Sequence, residues 1–183
     1  MPTDVGAPAT GRPGLGARRL RGRISLRSEI VHDPDAGLSL FCRVRTRLCA
    51  LPIEHVLETM RPLPIEPLAG APAFVSGLAI IRGSPVPVVD AARLLGAGEG
   101  RPARFVTLQT GGRRVALAVD GVVGVGTIPE RSSHDLPPIL GDVAAEFVAA
   151  IGTLDADLLL VLRAARLVPE GVWEVLDAKG PLA

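Results

Sequence analysis

Gly111-Gly112 separates two seven-residue runs, Arg104 to Thr110 and Arg113 to Val119, and no other feature limits the fold of this chain so tightly. Glycine at both central positions accepts the positive φ of the two-residue turns that match strand twist, so the runs are predicted to pair as an antiparallel hairpin. In the second run Val115, Leu117 and Val119 alternate with Ala116 and Ala118, the period of a strand packed on a core. With 21 glycines and 17 prolines among 183 residues, such turns recur along the chain and long helices are disfavoured.

The same style runs through the rest of the chain. Leu38 to Val44 and Leu48 to Leu51 read as a hairpin about Arg45-Thr46, which sets Cys42 opposite Cys49. Pro52 is predicted to open a short helix carrying Ile53, Val56, Leu57 and Met60 at helical spacing. Pro62, Pro64 and Pro67 then enforce an extended connection. Phe74 to Ile81 and Val86 to Val89 form another strand pair, with Gly83 and Pro85 as turn chemistry, and Ala91 to Leu95 a helical turn ended by Gly96. Asp120-Gly121 marks a turn or bulge before Val122, Val123 and Val125. Asp142 to Ala149 is predicted as a short helix with Asp142 as N-cap, and Leu158 to Leu162 as a strand buried on both faces. Val172 to Ala178 is expected to form a terminal helix with Trp173 lying against a lobe. Many short strands at close spacing predict a mainly β fold of barrels or a sandwich, and no crossover pattern supports a parallel α/β sheet.

Three stretches differ in composition. Residues 1–36 are rich in Gly, Pro and Ala and hold Arg12, Arg18, Arg19, Arg21, Arg23 and Arg27, so a disordered extension is expected. It could also be read as a basic arm for acidic lipid or nucleic acid; its arginines lie among prolines and glycines without a helical face, which favours a solvated tail. Residues 37–178 are expected to be the folded unit and 179–183 a short tail.

Composition and motifs exclude much chemistry. A net charge of +1 and 3% aromatics, with no tyrosine, argue against a nucleic-acid surface. The longest apolar runs, such as Leu158 to Leu162, fall far short of the ~20 residues a helix needs to cross a bilayer. No basic head followed by an apolar stretch suggests a secretory signal, so the cytoplasm is the expected compartment. Cys42 and Cys49 make neither a disulfide framework nor a zinc set; facing each other across the hairpin they could bridge, and a cytosolic setting favours the reading as buried reduced thiols. His32, His55 and His134 have no second ligand at metal spacing. Gly96 to Gly100 lacks the Lys-Ser/Thr of a phosphate loop, and no G-x-S-x-G elbow occurs. The acidic pairs Glu54/Glu58, at helical i,i+4 spacing, and Asp155/Asp157 read as surface and turn residues. With no catalytic set, metal or cofactor indicated, a protein-binding module is expected rather than an enzyme.

One resemblance sharpens this. Leu51-Pro52-Ile53-Glu54-His55-Val56-Leu57-Glu58, then Pro72-Ala73-Phe74-Val75-Ser76-Gly77, Ile81-Arg82-Gly83 and Pro87-Val88-Val89-Asp90 resemble the CheW family pattern. Val119-Asp120-Gly121-Val122 and the stretch from Ile151-Gly152 to Leu162 resemble its later segments, so the likeness runs from about Leu38 to Leu176. The resemblance implies two small five-stranded β-barrel lobes, SH3-like, with a hydrophobic groove between them. It also implies a non-enzymatic chemotaxis adaptor. Its partners would be the cytoplasmic tip of a methyl-accepting chemoreceptor and the regulatory domain of a CheA-type histidine kinase, with recruitment to receptor arrays but no membrane insertion. By position, Ile53, Val56 and Glu58 fall where the family lines its receptor groove, with Val119 and Val122 near it on the other lobe. Gly77, Arg82, Gly83 and Asp90 fall in the turn region tied to kinase binding and barrel geometry. Arg82, set among apolar residues, needs a partner, either an intramolecular carboxylate such as Asp90 or Asp120 or a group on another protein. Three departures, Ile80, Ala91-Ala92 and Arg163-Ala164-Ala165, leave open a divergent adaptor serving a non-chemotactic kinase.

Overall fold

Strand pairing decides the architecture. The computed structural model describes residues 37–128, 146–154 and 157–179. Its first sheet contains β1 (Leu38–Val44), β2 (Arg47–Pro52), β8 (Gly121–Thr127), β9 (Val148–Leu154) and β10 (Asp157–Leu162) in the order β8-β1-β2-β10-β9. The second contains β3 (Val56–Met60), β4 (Val75–Ile81), β5 (Ser84–Asp90), β6 (Arg104–Thr110) and β7 (Arg113–Val119) in the order β3-β6-β7-β5-β4. A helical turn α1 (Ala91–Leu94) follows β5, and α2 (Glu170–Lys179) closes the described chain.

The expected hairpins form in the expected register. Arg104 to Thr110 pair residue for residue with Val119 to Arg113 about Gly111-Gly112, and Cys42 lies opposite Cys49. The rule of two that generates them operates on both faces. In β7, Val115, Leu117 and Val119 enter a core shared by the two sheets, while Ala116 and Ala118 enter the second sheet's own small core around Phe105. In β2, Cys49 and Leu51 enter the shared core, while Leu48 and Ala50 face Phe41 in the first sheet's own core. Strands of this kind read as near-continuous apolar runs because neither face meets water.

Each sheet curls around its own core yet keeps two edge strands. Val123 and Ile128 at one edge and Leu154 at the other pack into the core of the first sheet; Met60 and Ile65 pack with Ala79 and Ile81 in the second. The two five-stranded lobes expected are present, as sheets that curl in the manner of barrels without closing. Bulges assist the curl: the register shifts between Val56 and Glu58, between Val75 and Gly77, and between Phe41 and Cys42. Gly77 sits at φ 139°, with Glu66 so close that a Cβ would run into its carbonyl oxygen. That closeness serves a two-way backbone bridge between Glu66 and Leu78, at 2.7 and 2.8 Å.

Four other readings change. The helix predicted from Pro52 shrinks to a 3-10 turn at Ile53–His55, and the chain enters β3 at Val56. Backbone pairing with β6 outweighs the helical spacing; across the bulge Val56 packs on the shared core while Met60 packs in the second sheet's own core, and Glu54 and Glu58 do not share a helix face. Two parallel pairs exist, β2 with β10 and β5 with β7, and neither joins strands consecutive in the chain. Asp142 to Ala145 lie outside the described residues, and Val148 and Ala149 belong to β9 rather than a helix. Leu158 is 40% exposed, so two-sided burial of β10 begins at Leu159, which enters the first sheet's core while Leu160 enters the shared one. Trp173 packs on the shared core as expected, with the Arg113 guanidinium 5.1 Å from its ring.

Leu117→Ala, in the shared core, is expected to cost about 2–5 kcal/mol in urea denaturation. Val125→Ala, at a position 50% exposed, should stay within about 0.5 kcal/mol of the parent.

Candidate functional site

A glutamate on an edge strand and an arginine on a hairpin tip define the most specific polar arrangement on the second sheet. β3 and β4 are its opposite edges, yet Arg82, at the tip joining β4 to β5, reaches Glu58 on β3. Arg82 Nη2 donates to Glu58 Oε2 at 2.7 Å and Nε to Oε1 at 3.2 Å, a two-point fork. The curled sheet is thus closed between its edges by side chains.

Local geometry aims both groups. The β3 bulge leaves Leu57 without a partner on β6 and turns it outward, 48% exposed, while Glu58 faces the sheet opposite Thr107. The Thr107 hydroxyl donates to the Glu58 carbonyl at 3.1 Å and fixes the bulge. Arg82 takes φ 52° and Gly83 φ 77°, the left-handed pair of a tight hairpin turn. Glycine or asparagine would occupy the first position with less strain; an arginine there marks a side chain whose reach matters.

The other proposed partners of Arg82 are engaged elsewhere, which corrects that expectation. Asp90 Oδ1 accepts the N–H groups of Ala92 at 2.9 Å and Arg93 at 3.2 Å, capping α1. Asp120 Oδ2 accepts the Arg45 N–H at 2.7 Å, tying the bend between β7 and β8 to the β1–β2 turn. Asp157, read as a turn residue, receives Arg43 Nη1 at 2.8 Å.

The apolar candidates separate into surface and core. Ile53 and Val56 are half-buried against the shared core. Val119 is 1% exposed and lies on β7, in the same sheet as Val56, so it is core rather than a groove wall of the other lobe. Val122, on edge strand β8 of the first sheet, is 36% exposed, and Val125 beside it 50%. Sequence reasoning passed over Val125 and Leu57 as exposed aliphatics on edge strands; the G-V-V-G-V-G run, apolar and without charge, was the available signal for the first. Gly83 is open to solvent at the turn tip, and Gly77 is held by close backbone approach rather than by any contact it offers. His55 sits 3.6 Å from Glu54, on the 3-10 turn.

Among the described residues no three His, Cys, Asp or Glu side chains are gathered to hold a metal, and no helix is long and apolar enough to cross a membrane. The Arg82 guanidinium holds the Glu58 carboxyl below the usual carboxylate range, first through the hydrogen bond and then through its charge. Because the folded value is lowered, the stability gained is present above the ordinary glutamate range and is lost as pH falls through the lowered value. In Arg82→Ala the Glu58 carboxyl should titrate at higher pH by carbon NMR, and stability between the two values should become less dependent on pH.

Comparison with known proteins identifies the family and the fold. The CheW-like domain model matches residues 39–171. Protein FrzA of Myxococcus xanthus is 35% identical over 115 residues, covering 61% of this chain and 71% of FrzA. The chemotaxis protein CheW of Rhizobium meliloti is 27% identical over 142 residues, covering 75% of this chain and 92% of that protein. The crystal structure of the scaffolding protein TtCheW from Thermoanaerobacter tengcongensis superposes with a TM-score of 0.61 at 24% identity, over 70% of this chain and 89% of that one, and supports the fold. With two curled sheets around a shared core, and a family match across most of its length, this chain belongs to the CheW-like domain family of adaptor and scaffold proteins.

Proposed function

We propose that the protein is a chemotaxis adaptor that holds a chemoreceptor cytoplasmic tip and the regulatory domain of a CheA-type histidine kinase in fixed relation, without catalysing a reaction. The observation that carries the reading is the family match from 39 to 171 combined with exposed aliphatic side chains on an edge strand of each sheet. Val122 and Val125 on β8, and Leu57 on β3, offer apolar surface that an amphipathic receptor helix covers through anchors at i, i+3, i+4 and i+7. Ile53 and Val56, half-buried and near Leu57 in sequence, pack against the shared core.

Glu58, which falls by position in the receptor groove, is bound by Arg82 and is reassigned with it and the turn it holds to the kinase surface. Arg82 is left 73% exposed by its side-chain contact, so its remaining donors face outward. Gly77, Gly83 and Asp90 act here as framing residues, through the bulge, the turn and the α1 cap. In this reading the protein resides in the cytoplasm and joins the membrane only through receptors.

Isothermal titration against a receptor tip and, separately, against a CheA-type regulatory domain tests the assignment. Val122→Asp is expected to weaken the receptor complex by roughly tenfold or more while leaving the kinase complex intact. Arg82→Glu should show the reverse selectivity, by roughly tenfold or more, with Glu58→Arg restoring part of the loss in the double variant. No affinity of the parent chain for either partner would refute the reading.

A further inference from the structure

The chain has two cysteines, and the fold sets them directly opposite one another across β1 and β2. Both are free and fully buried in the core shared by the two sheets. Directly opposed residues of an antiparallel pair have Cα atoms about 4.5–5.5 Å apart, inside the span of about 4.4–6.8 Å that a disulfide accepts. The thiols therefore have the backbone spacing for a bond and lack access to an oxidant.

We infer that Cys42 and Cys49 are a latent intrachain disulfide, closed to oxidants while the shared core is packed and formed when that core opens. A peroxide supplies the oxidising equivalents. One thiolate attacks a peroxide oxygen, the O–O bond breaks, and a sulfenic acid and water result; the second thiolate attacks that sulfur, the S–O bond breaks, and a second water leaves. Two thiol protons and two electrons pass to the peroxide, and the S–S bond remains. Burial pushes both thiols up to about 12, and the partner thiol adds to the effect at Cys49, so neither sulfur is a nucleophile in the closed state. Arg47 and Arg43 act on Cys49 in the opposite direction.

The position gives the bond a consequence. Cys42 also pairs with Val122 on β8, at the bulge where the register shifts between Phe41 and Cys42. A bridge that draws β1 toward β2 there repacks the strand beneath Val122, a wall of the surface assigned above to the receptor. This second step rests on the proposed function; formation of the bond does not.

The full chain, exposed to hydrogen peroxide in buffer and at graded urea concentrations below the unfolding midpoint, tests both steps. Thiol labelling by a chromogenic aromatic disulfide and oxidation by peroxide should rise together, by about tenfold or more across the series. The product should be a monomer lighter by two hydrogen masses, with one cross-linked peptide joining Cys42 to Cys49, and dithiothreitol should restore it. Oxygen added to either sulfur, or disulfide-linked dimers, as the main product would overturn the inference. Cys42→Ala and Cys49→Ala should each yield those very products instead; should neither variant fold, peptide mapping of the parent alone decides. After removal of urea, the bridged chain should bind a receptor tip about tenfold or more weaker than the reduced chain. Equal affinity would overturn the link to Val122. If the reduced chain binds no tip, it is the proposed function that fails, and the mass measurement is unaffected.

Discussion

Burial of both faces of the central strands is the constraint from which the rest of the structure follows. A sheet that packs one face on a neighbour and curls the other around its own contents has no wet face, so polar alternation is replaced by alternation in size. The shared core takes Leu51, Val106, Leu117, Val119 and Leu160, side chains that span the gap between sheets. The two inner cores are small and each is built about one phenylalanine, Phe41 or Phe105, both fully buried, with Ala50 in the first and Ala79, Ala116 and Ala118 in the second. Alanine opposite phenylalanine fills a tight curl at interior density without overpacking. Each large aliphatic buried this way contributes about 1.5–3 kcal/mol, and so a fold with only 3% aromatics is held by aliphatic packing.

Curling creates a second problem, since an open sheet brought round on itself exposes two edges. The solutions on the second sheet are side-chain based. Glu58 and Arg82 bridge β3 to the tip of the β4–β5 turn, and the Glu66–Leu78 bridge covers part of β4. Bulges at Leu57 and Ser76 break the edge hydrogen-bond pattern, which blunts edge-to-edge pairing and aims neighbouring side chains. The α2 helix is pinned over the same sheet by Arg113, which meets Glu170 at 2.8 Å and the Trp173 ring. Phe74 and Phe147, with ring centroids 5.5 Å apart, tie the start of β4 to the entry of β9 and so hold one sheet to the other.

Where local chemistry determined the outcome, the sequence was readable. Gly111-Gly112 could only be a tight turn, Ala91 to Leu95 formed the helical turn expected ahead of Gly96, and Cys42 and Cys49 followed from the Arg45-Thr46 hairpin. Where a long-range contact determined it, reading failed. Ile53, Val56 and Met60 have helical spacing, and only the presence of β6 alongside turns Val56 to Met60 into a strand. Arg82 was set among apolar residues with no sign of its partner, because Glu58 lies 24 positions away and reaches it only once the sheet has curled. The parallel pairing of β2 with β10 joins segments that share no local signal at all. Of the candidate site, the turn and strand positions were legible; that Val119 is core and that Val125 is surface was not, since both are valines in apolar runs and only the sheet assignment separates them.

The departures from the family pattern can now be sorted by where they sit. Ala91 and Ala92 are buried, 0% and 4% exposed, beneath the α1 cap, so the change there is one of packing, and a partner cannot touch it. Arg93 beside them spends its charge within the molecule, on Glu99 at 2.9 Å and on the Ala73 carbonyl at 3.3 Å. Ile80 is different: 55% exposed, on the outer edge strand, paired across to Pro85. A large aliphatic there adds apolar surface at the sheet end that Arg82 also occupies, two residues away in sequence. An adaptor distinguishes partners by shape, charge and apolar area, and specificity is a difference in those terms between one partner and another. The shared core makes the frame common to such proteins, and the few exposed edge residues make it particular. Of the departures, Ile80, Arg163 and Ala165 lie on the exposed surface, where they add to what makes this chain particular.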